Sequence, residues 1–96
     1  MYKLRDISVI IPTYNRSEDL KKTLESLKLH LEDLREIIVV DQSTDKKTLK
    51  LARKLKSKKI KYVYSKIPSI TIARNLGVNK TDKKTKIICF IDDDVS

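Results

Sequence analysis

Three consecutive aspartates, Asp92, Asp93 and Asp94, follow the apolar run 87–91. Adjacent carboxylates repel one another, so a cation is their natural partner. Side chains alternate along an extended segment, which puts Asp92 and Asp94 on one side and Asp93 on the other. Two hard oxygen ligands at that spacing suit Mg²⁺ or Mn²⁺, ions that keep waters and take phosphate oxygens as further ligands. The triplet also reads as an acidic strand stop that neutralises nearby lysines, and by itself it does not separate the two. Asp41 ends a second apolar run. There it is either a turn former that bonds the backbone of the next residues, or an acceptor for a base N–H or a ribose hydroxyl. Arg16 and Arg74 carry forked donors that match phosphate, or they form ordinary surface ion pairs. The chain contains neither GxGxxG nor GxxxxGK[ST]. Any phosphates would therefore be held by metal and arginine rather than by a glycine-rich turn.

Positioning these groups requires regular elements, and the hydrophobic pattern supplies them. Residues 7–11, ISVII, form a short run rich in β-branched residues, closed by Pro12, and predict a buried strand. Ser17 is placed to cap a helix with Glu18 and Asp19 in its first turn. Leu20, Leu24, Leu27 and Leu31 give that helix one apolar face, and it should end within 31–34. EIIVVD, 36–41, predicts a second buried strand. Thr44 or Asp45 can cap a helix over about 46–57. IKYVY, 60–64, alternates and predicts a third strand. A helix opening at 69–71 runs through IARNLGV, and KIICFI, 86–91, predicts the fourth strand. The pattern β-α-β-α-β-α-β implies an α/β fold with a parallel sheet of about four strands and flanking helices. In such a sheet the loops after the strands gather at one edge, where ligands bind. Those loops carry Thr13 to Arg16, Asp41 to Asp45, Lys66 and Ser69 with Arg74 and Asn75 beyond, and Asp92 to Asp94. The opposite edge shows no comparable concentration.

The 96 residues bound one small domain, with 40% hydrophobic and 36% charged residues. That composition fits a globular chain rather than a disordered one. The single cysteine, Cys89, excludes a disulfide framework and a cysteine-based zinc site, and its apolar surroundings predict a small core residue. Apolar runs of about five residues fall far short of the roughly 20 that cross a bilayer. A cytoplasmic location is expected, with peripheral contact to the cytosolic membrane face left open. The net charge of +9 is uneven: ten basic residues and no acid lie between Lys46 and Lys66. This is a solvated helix face with its linker, or a surface for anionic lipid, phosphate or nucleic acid.

VIIPTYNR, IIVVDQSTD, IARNLG and CFIDDD stand in this order. Together they resemble the N-terminal half of family 2 glycosyltransferases, which have the Rossmann-like GT-A fold. The resemblance covers nearly the whole of 1–96 as a single, partial nucleotide-sugar-binding domain. It implies a nucleotide-diphospho-sugar donor, a UDP-sugar in the first place, and an inverting, metal-dependent transfer to a carbohydrate or lipid-linked acceptor. By the same resemblance Pro12, Thr13 and Arg16 line the nucleoside pocket and Asp41 contacts the base. Arg74 lies near the donor phosphates, Asp92 and Asp93 belong to the donor site, and Asp92 and Asp94 hold Mn²⁺ or Mg²⁺. Gln42 departs from the family, where a second Asp often follows the first.

The family's catalytic base lies in the second half, so it is expected beyond Ser96 and no residue present is assigned that role. The chain is expected to bind nucleotide and not to transfer sugar. An exposed apolar edge is expected to drive self-association. A sugar nucleotidylyltransferase would need a glycine-rich signature near the first strand, which IIPTYNR lacks. A haloacid dehalogenase-type phosphatase would carry its DxD early in the chain. The remaining alternative is a non-catalytic basic module that meets anionic lipid or nucleic acid, or a half-domain pairing with another chain. With a donor site present, nucleic acid is not the expected partner.

Overall fold

The structure is a computed structural model that describes residues 1–55 and 57–92. Strands and helices alternate as β1 (Ile7–Thr13), α1 (Ser17–Lys28), β2 (Glu36–Asp41), α2 (Lys47–Lys54), β3 (Ile60–Tyr64), α3 (Ile70–Asn79) and β4 (Ile87–Phe90). All pairings are parallel, and the four-stranded sheet runs β3-β2-β1-β4. The expected α/β class and parallel sheet are thus observed.

The strand order dictates where the helices go. From β1 through β2 to β3 the chain steps outward in one direction, so right-handed crossovers put α1 and α2 on one face. From β3 to β4 it steps back past β2 and β1, so α3 must cover the other face. The core divides accordingly. Val9, Ile11, Ile37 and Val39 pack with Leu20, Leu24 and Leu34 on the α1/α2 side, where Leu51 and Leu55 join them. Ile10, Ile38 and Val40 pack with Ala73 on the α3 side. β2 is buried along its whole length, which is why EIIVVD reads as a continuous apolar run rather than an alternating one. Gly77 sets how closely α3 approaches the sheet: a Cβ there would stand 2.4 Å from Ile10 Cγ2.

Several boundaries differ from the sequence expectation, each for a local reason. β1 continues through Pro12 to Thr13, in register with Val40 and Asp41. Alternate residues of a parallel strand bond to opposite neighbours. The Ile10 carbonyl accepts from Ile91 N on the β4 side, and the Thr13 carbonyl accepts from Gln42 N on the β2 side. Pro12 therefore faces the β4 side, beyond the last residue of that strand, where no ladder bond is lost. Ser17 is the first helical residue of α1, and Arg16 is the capping position, without a side-chain cap. α1 stops at Lys28, and tight turns follow through Leu34, whose N–H donates to the His30 carbonyl. α2 covers only Lys47–Lys54 and also lacks a side-chain cap. Asp45 instead bonds the Lys47 N–H at 3.0 Å in a turn. α3 begins after Ser69 as expected, with Ser69 Oγ accepting from Ile72 N at 3.3 Å.

Two expectations are corrected. Cys89 is exposed rather than core, because β4 is an edge strand and its outer side is uncovered by described residues. The edge opposite the strand ends is also not bare. Glu36, only 2% exposed, accepts from Ser8 Oγ at 2.7 Å and from Asp82 N at 2.7 Å, and pairs with Lys61 Nζ at 2.6 Å. Burial alone would push its acidity down. The Lys61 ammonium, the Asp82 N–H and the Ser8 hydroxyl outweigh that and hold its carboxyl below the usual range. This cluster ties β1, β2, β3 and the segment before β4 into one base that leaves the opposite edge free for a site.

Candidate active site: a cleft where the strand order reverses

α1 leaves β1 on one face of the sheet and α3 reaches β4 from the other, and a crevice lies beyond the carboxyl ends of these two neighbouring strands. Two adjoining hollows of about 200 and 210 Å³ occupy it. They share Pro12, Ile70 and Asp92. Thr13, Tyr14, Arg16 and Gln42 line the first, and Arg74, Phe90 and Ile91 the second. Five residues singled out from sequence, Pro12, Thr13, Arg16, Arg74 and Asp92, therefore meet around one cleft, although they come from three separate segments.

The rim is cross-linked by hydrogen bonds between loops. Asn15 adopts a left-handed conformation, φ 52°, which Asn tolerates better than most residues. This reverses the chain so that Arg16 can open α1. The Asn15 N–H donates to Ser43 Oγ at 2.8 Å, and Asn15 Oδ1 accepts from Thr44 N at 2.9 Å. Gln42 extends the tie to a third loop: its Nε2 donates to the carbonyls of Ile67 at 2.6 Å and Ser69 at 2.8 Å. A carboxylate at position 42 could not make these bonds, because it has no N–H to give. On the far wall the Arg74 guanidinium lies 5.3 Å from the centre of the Phe90 ring, a cation–π contact that holds an exposed arginine over the end of β4.

Asp41 stands apart from this cleft. It lines a neighbouring hollow of about 290 Å³ with Ser43, Thr44, Asp45, Lys46, Leu49, Tyr62 and Tyr64. The residue is 1% exposed. Its Oδ1 accepts from Ser43 N at 2.9 Å, and its Oδ2 accepts from the Tyr62 hydroxyl at 2.5 Å. Burial and the Asp41 carboxylate push the Tyr62 phenol well above its ordinary value, so it stays a donor. The turn-forming role is thus realised, and each carboxylate oxygen retains one further lone pair.

Asp93 and Asp94 lie outside the described residues. Among the described residues no three His, Cys, Asp or Glu side chains are grouped to hold a metal ion. Asp92 contributes one hard oxygen donor at the mouth of the cleft, the right chemistry for Mg²⁺ or Mn²⁺. Sequence reading placed Tyr14, Asn15 and Gln42 in the strand-end loops without giving them a role, and missed Ile70 and Phe90 as lining residues and Tyr62 as a group that fixes a loop. The aromatic in PTYNR was a usable signal. The partners of Gln42 and Tyr62, 21 to 27 residues away in sequence, were not.

A doubly wound α/β sheet with its polar cleft at the switch point defines the class, and the comparisons narrow it. This chain belongs to glycosyl transferase family 2, whose sequence model matches residues 8–96. It is 35% identical over 94 residues to an uncharacterised glycosyltransferase of Rickettsia bellii, covering 95% of this chain and 13% of that protein. It is 37% identical over 89 residues to another of Rickettsia conorii, covering 92% and 14%. Among solved structures, S. aureus TarS 1-349 superposes with a TM-score of 0.77 at 28% identity, over 92% of this chain and 27% of that one. The fold is that of a GT-A glycosyltransferase, and the chain spans 13–14% of the length of the curated relatives named here.

Proposed function

We propose that residues 1–96 form the donor-binding part of a glycosyltransferase that uses a nucleotide-diphospho-sugar, with UDP-sugars as the first class to test. The observation that carries this reading is the switch-point cleft bordered by Thr13, Arg16, Arg74 and Asp92. Adjacent strands lie about 4.8 Å apart. Asp41 on β2, Thr13 on β1 and Asp92 after β4 thus mark three successive steps across the sheet edge. A nucleoside diphosphate laid along them has its base near Asp41, its ribose over Pro12 and Thr13, and its phosphates between Arg16 and Arg74. The first turn of α3 carries no acid, so its dipole adds to the attraction for phosphate. Asp41 would accept one base N–H through a remaining lone pair.

Asp92 and Asp94 are proposed to hold Mn²⁺ or Mg²⁺, with Asp93 in the donor site beside them. Such a cation, when bound, is a Lewis acid that offsets the charge on a departing nucleoside diphosphate. The chain's own residues orient the donor and neutralise its phosphates. The acceptor, carbohydrate or lipid-linked, and the base that would deprotonate it for an inverting transfer are assigned to none of residues 1–96. The chain alone therefore binds donor without transferring sugar. Among the described residues no helix is long and apolar enough to cross a membrane, and a cytoplasmic site of action goes with the proposed donor.

The direct test is thermal stabilisation by a panel of nucleotide sugars, with Mn²⁺ and with EDTA. Stabilisation by a UDP-sugar that EDTA abolishes supports the reading. No shift with any nucleotide sugar, together with salt-sensitive RNA binding, would replace it with the binding-module alternative.

A further inference from the structure

An apolar hollow lies away from this cleft, between α1 and α2. It measures about 290 Å³, near the small end of ligand cavities at about 300 Å³. Leu24, Leu31, Ile37, Leu51, Leu55 and Ile60 form its floor. Lys21 and Lys28 of α1 and Lys54 of α2 stand on its rim, with Glu25 as the one acid among the described residues. The helices run antiparallel to the strands, so the end of α1, the end of α2 and the start of β3 place this groove toward the pole opposite the donor cleft. Beyond the rim, α2 presents exposed Lys50 and Arg53. Leu29, next to the rim residue Lys28, is 85% exposed.

We propose that this groove docks on an anionic phospholipid bilayer. Charge complementarity selects the occupant. A net cationic rim above an apolar floor matches a phosphate headgroup above an acyl chain, and a protruding leucine beside the lysines inserts where headgroup meets chain. RNA or a wholly acidic segment would satisfy the rim but leave the floor and Leu29 in water. Docking at this pole leaves the strand-end cleft open to a soluble nucleotide. The site is independent of the donor reading, since it uses none of that cleft's residues.

The experiment is co-sedimentation of the full chain with phosphatidylcholine vesicles containing or lacking phosphatidylglycerol. Binding is expected to the anionic vesicles only, and to weaken as salt is raised. Lys28→Glu with Lys54→Glu should lower partitioning at least about tenfold. Leu29→Ser, which touches no core, should lower it several-fold while leaving binding to a control RNA unchanged. The chain has no tryptophan, so Leu31→Trp reports on the groove itself. Its emission should shift blue on anionic vesicles and be quenched by acyl-chain-brominated lipid. Equal binding to neutral vesicles, unchanged binding of the charge-reversal variant, an unquenched indole, or RNA binding without vesicle binding would each overturn the proposal.

Discussion

Asp41 holds a turn, and each of its oxygens keeps a lone pair for the proposed ligand. Ser43 N–H and the Tyr62 hydroxyl occupy its two oxygens from inside the protein. Tyr62→Phe removes one donor while keeping the ring, and should cost about 1 kcal/mol of stability, read from a denaturation midpoint. If Asp41 also reads the base, the same variant should weaken UDP-sugar binding. An effect on stability without one on binding would confine Asp41 to the turn. Arg74 offers a cleaner test of the donor site, because it is exposed and stacked on Phe90 rather than buried. Arg74→Ala should weaken donor binding by about tenfold or more in calorimetry, the size of a lost charge-assisted hydrogen bond of roughly 1.5–3 kcal/mol. Arg74→Lys should recover little, since an ammonium lacks the forked donors and the flat face. Unaltered binding in both variants would remove Arg74 from the site.

At the scale of elements, the seating of α3 depends on one glycine. Gly77 lets α3 lie against Ile10, and Gly77→Ala forces a methyl into a fully buried isoleucine. A loss of about 1–3 kcal/mol is expected. Because Ile70 and Arg74 sit on the same helix, donor binding should fall with it. Thr48 makes the opposite case on α2. Its side chain is fully buried, and its Oγ1 has no hydrogen-bond partner among the described residues. Thr48→Val keeps the branched shape and removes the stranded hydroxyl, so it should raise stability by about 1 kcal/mol in thermal denaturation. Element identity was legible from sequence because hydrophobic runs and leucine spacing state it directly. Boundaries were less so. Nothing local reveals that Pro12 can remain in β1, since that depends on where β4 ends beside it.

For the whole molecule, the Glu36 cluster predicts how the fold responds to acid. The carboxyl is held below its ordinary value in the folded state, so the unfolded chain takes up protons first as pH falls. The cluster's contribution is therefore fully present above the unfolded value near 4.5 and is lost as pH drops through the lower folded value. Glu36→Gln should flatten this slope in a series of denaturation midpoints from pH 6 downward. An unchanged slope would show that other carboxylates dominate. The outer sides of β3 and β4 are unpaired among the described residues, and Phe90 on β4 is 42% exposed. Concentrated protein should accordingly self-associate in sedimentation velocity. A monomer at all concentrations would show that the exposed edges are adequately guarded.

The sequence by itself determined the alternation of strands and helices, the parallel sheet, and the loops that would carry the chemistry. Each follows from spacing along the chain: apolar runs, leucines at helical intervals, polar residues just past a strand. The four short motifs and their order also sufficed for the family, which the matches bear out. Tertiary structure alone decided which loops touch. It put Arg16, Arg74 and Asp92 around one cleft and set Asp41 in the hollow next to it. It also buried Glu36 with Lys61 and moved Cys89 from the expected core to an exposed edge. Those outcomes depend on strand order, which places β4 beside β1 at the edge of the sheet, and strand order is fixed by packing between segments far apart in the chain.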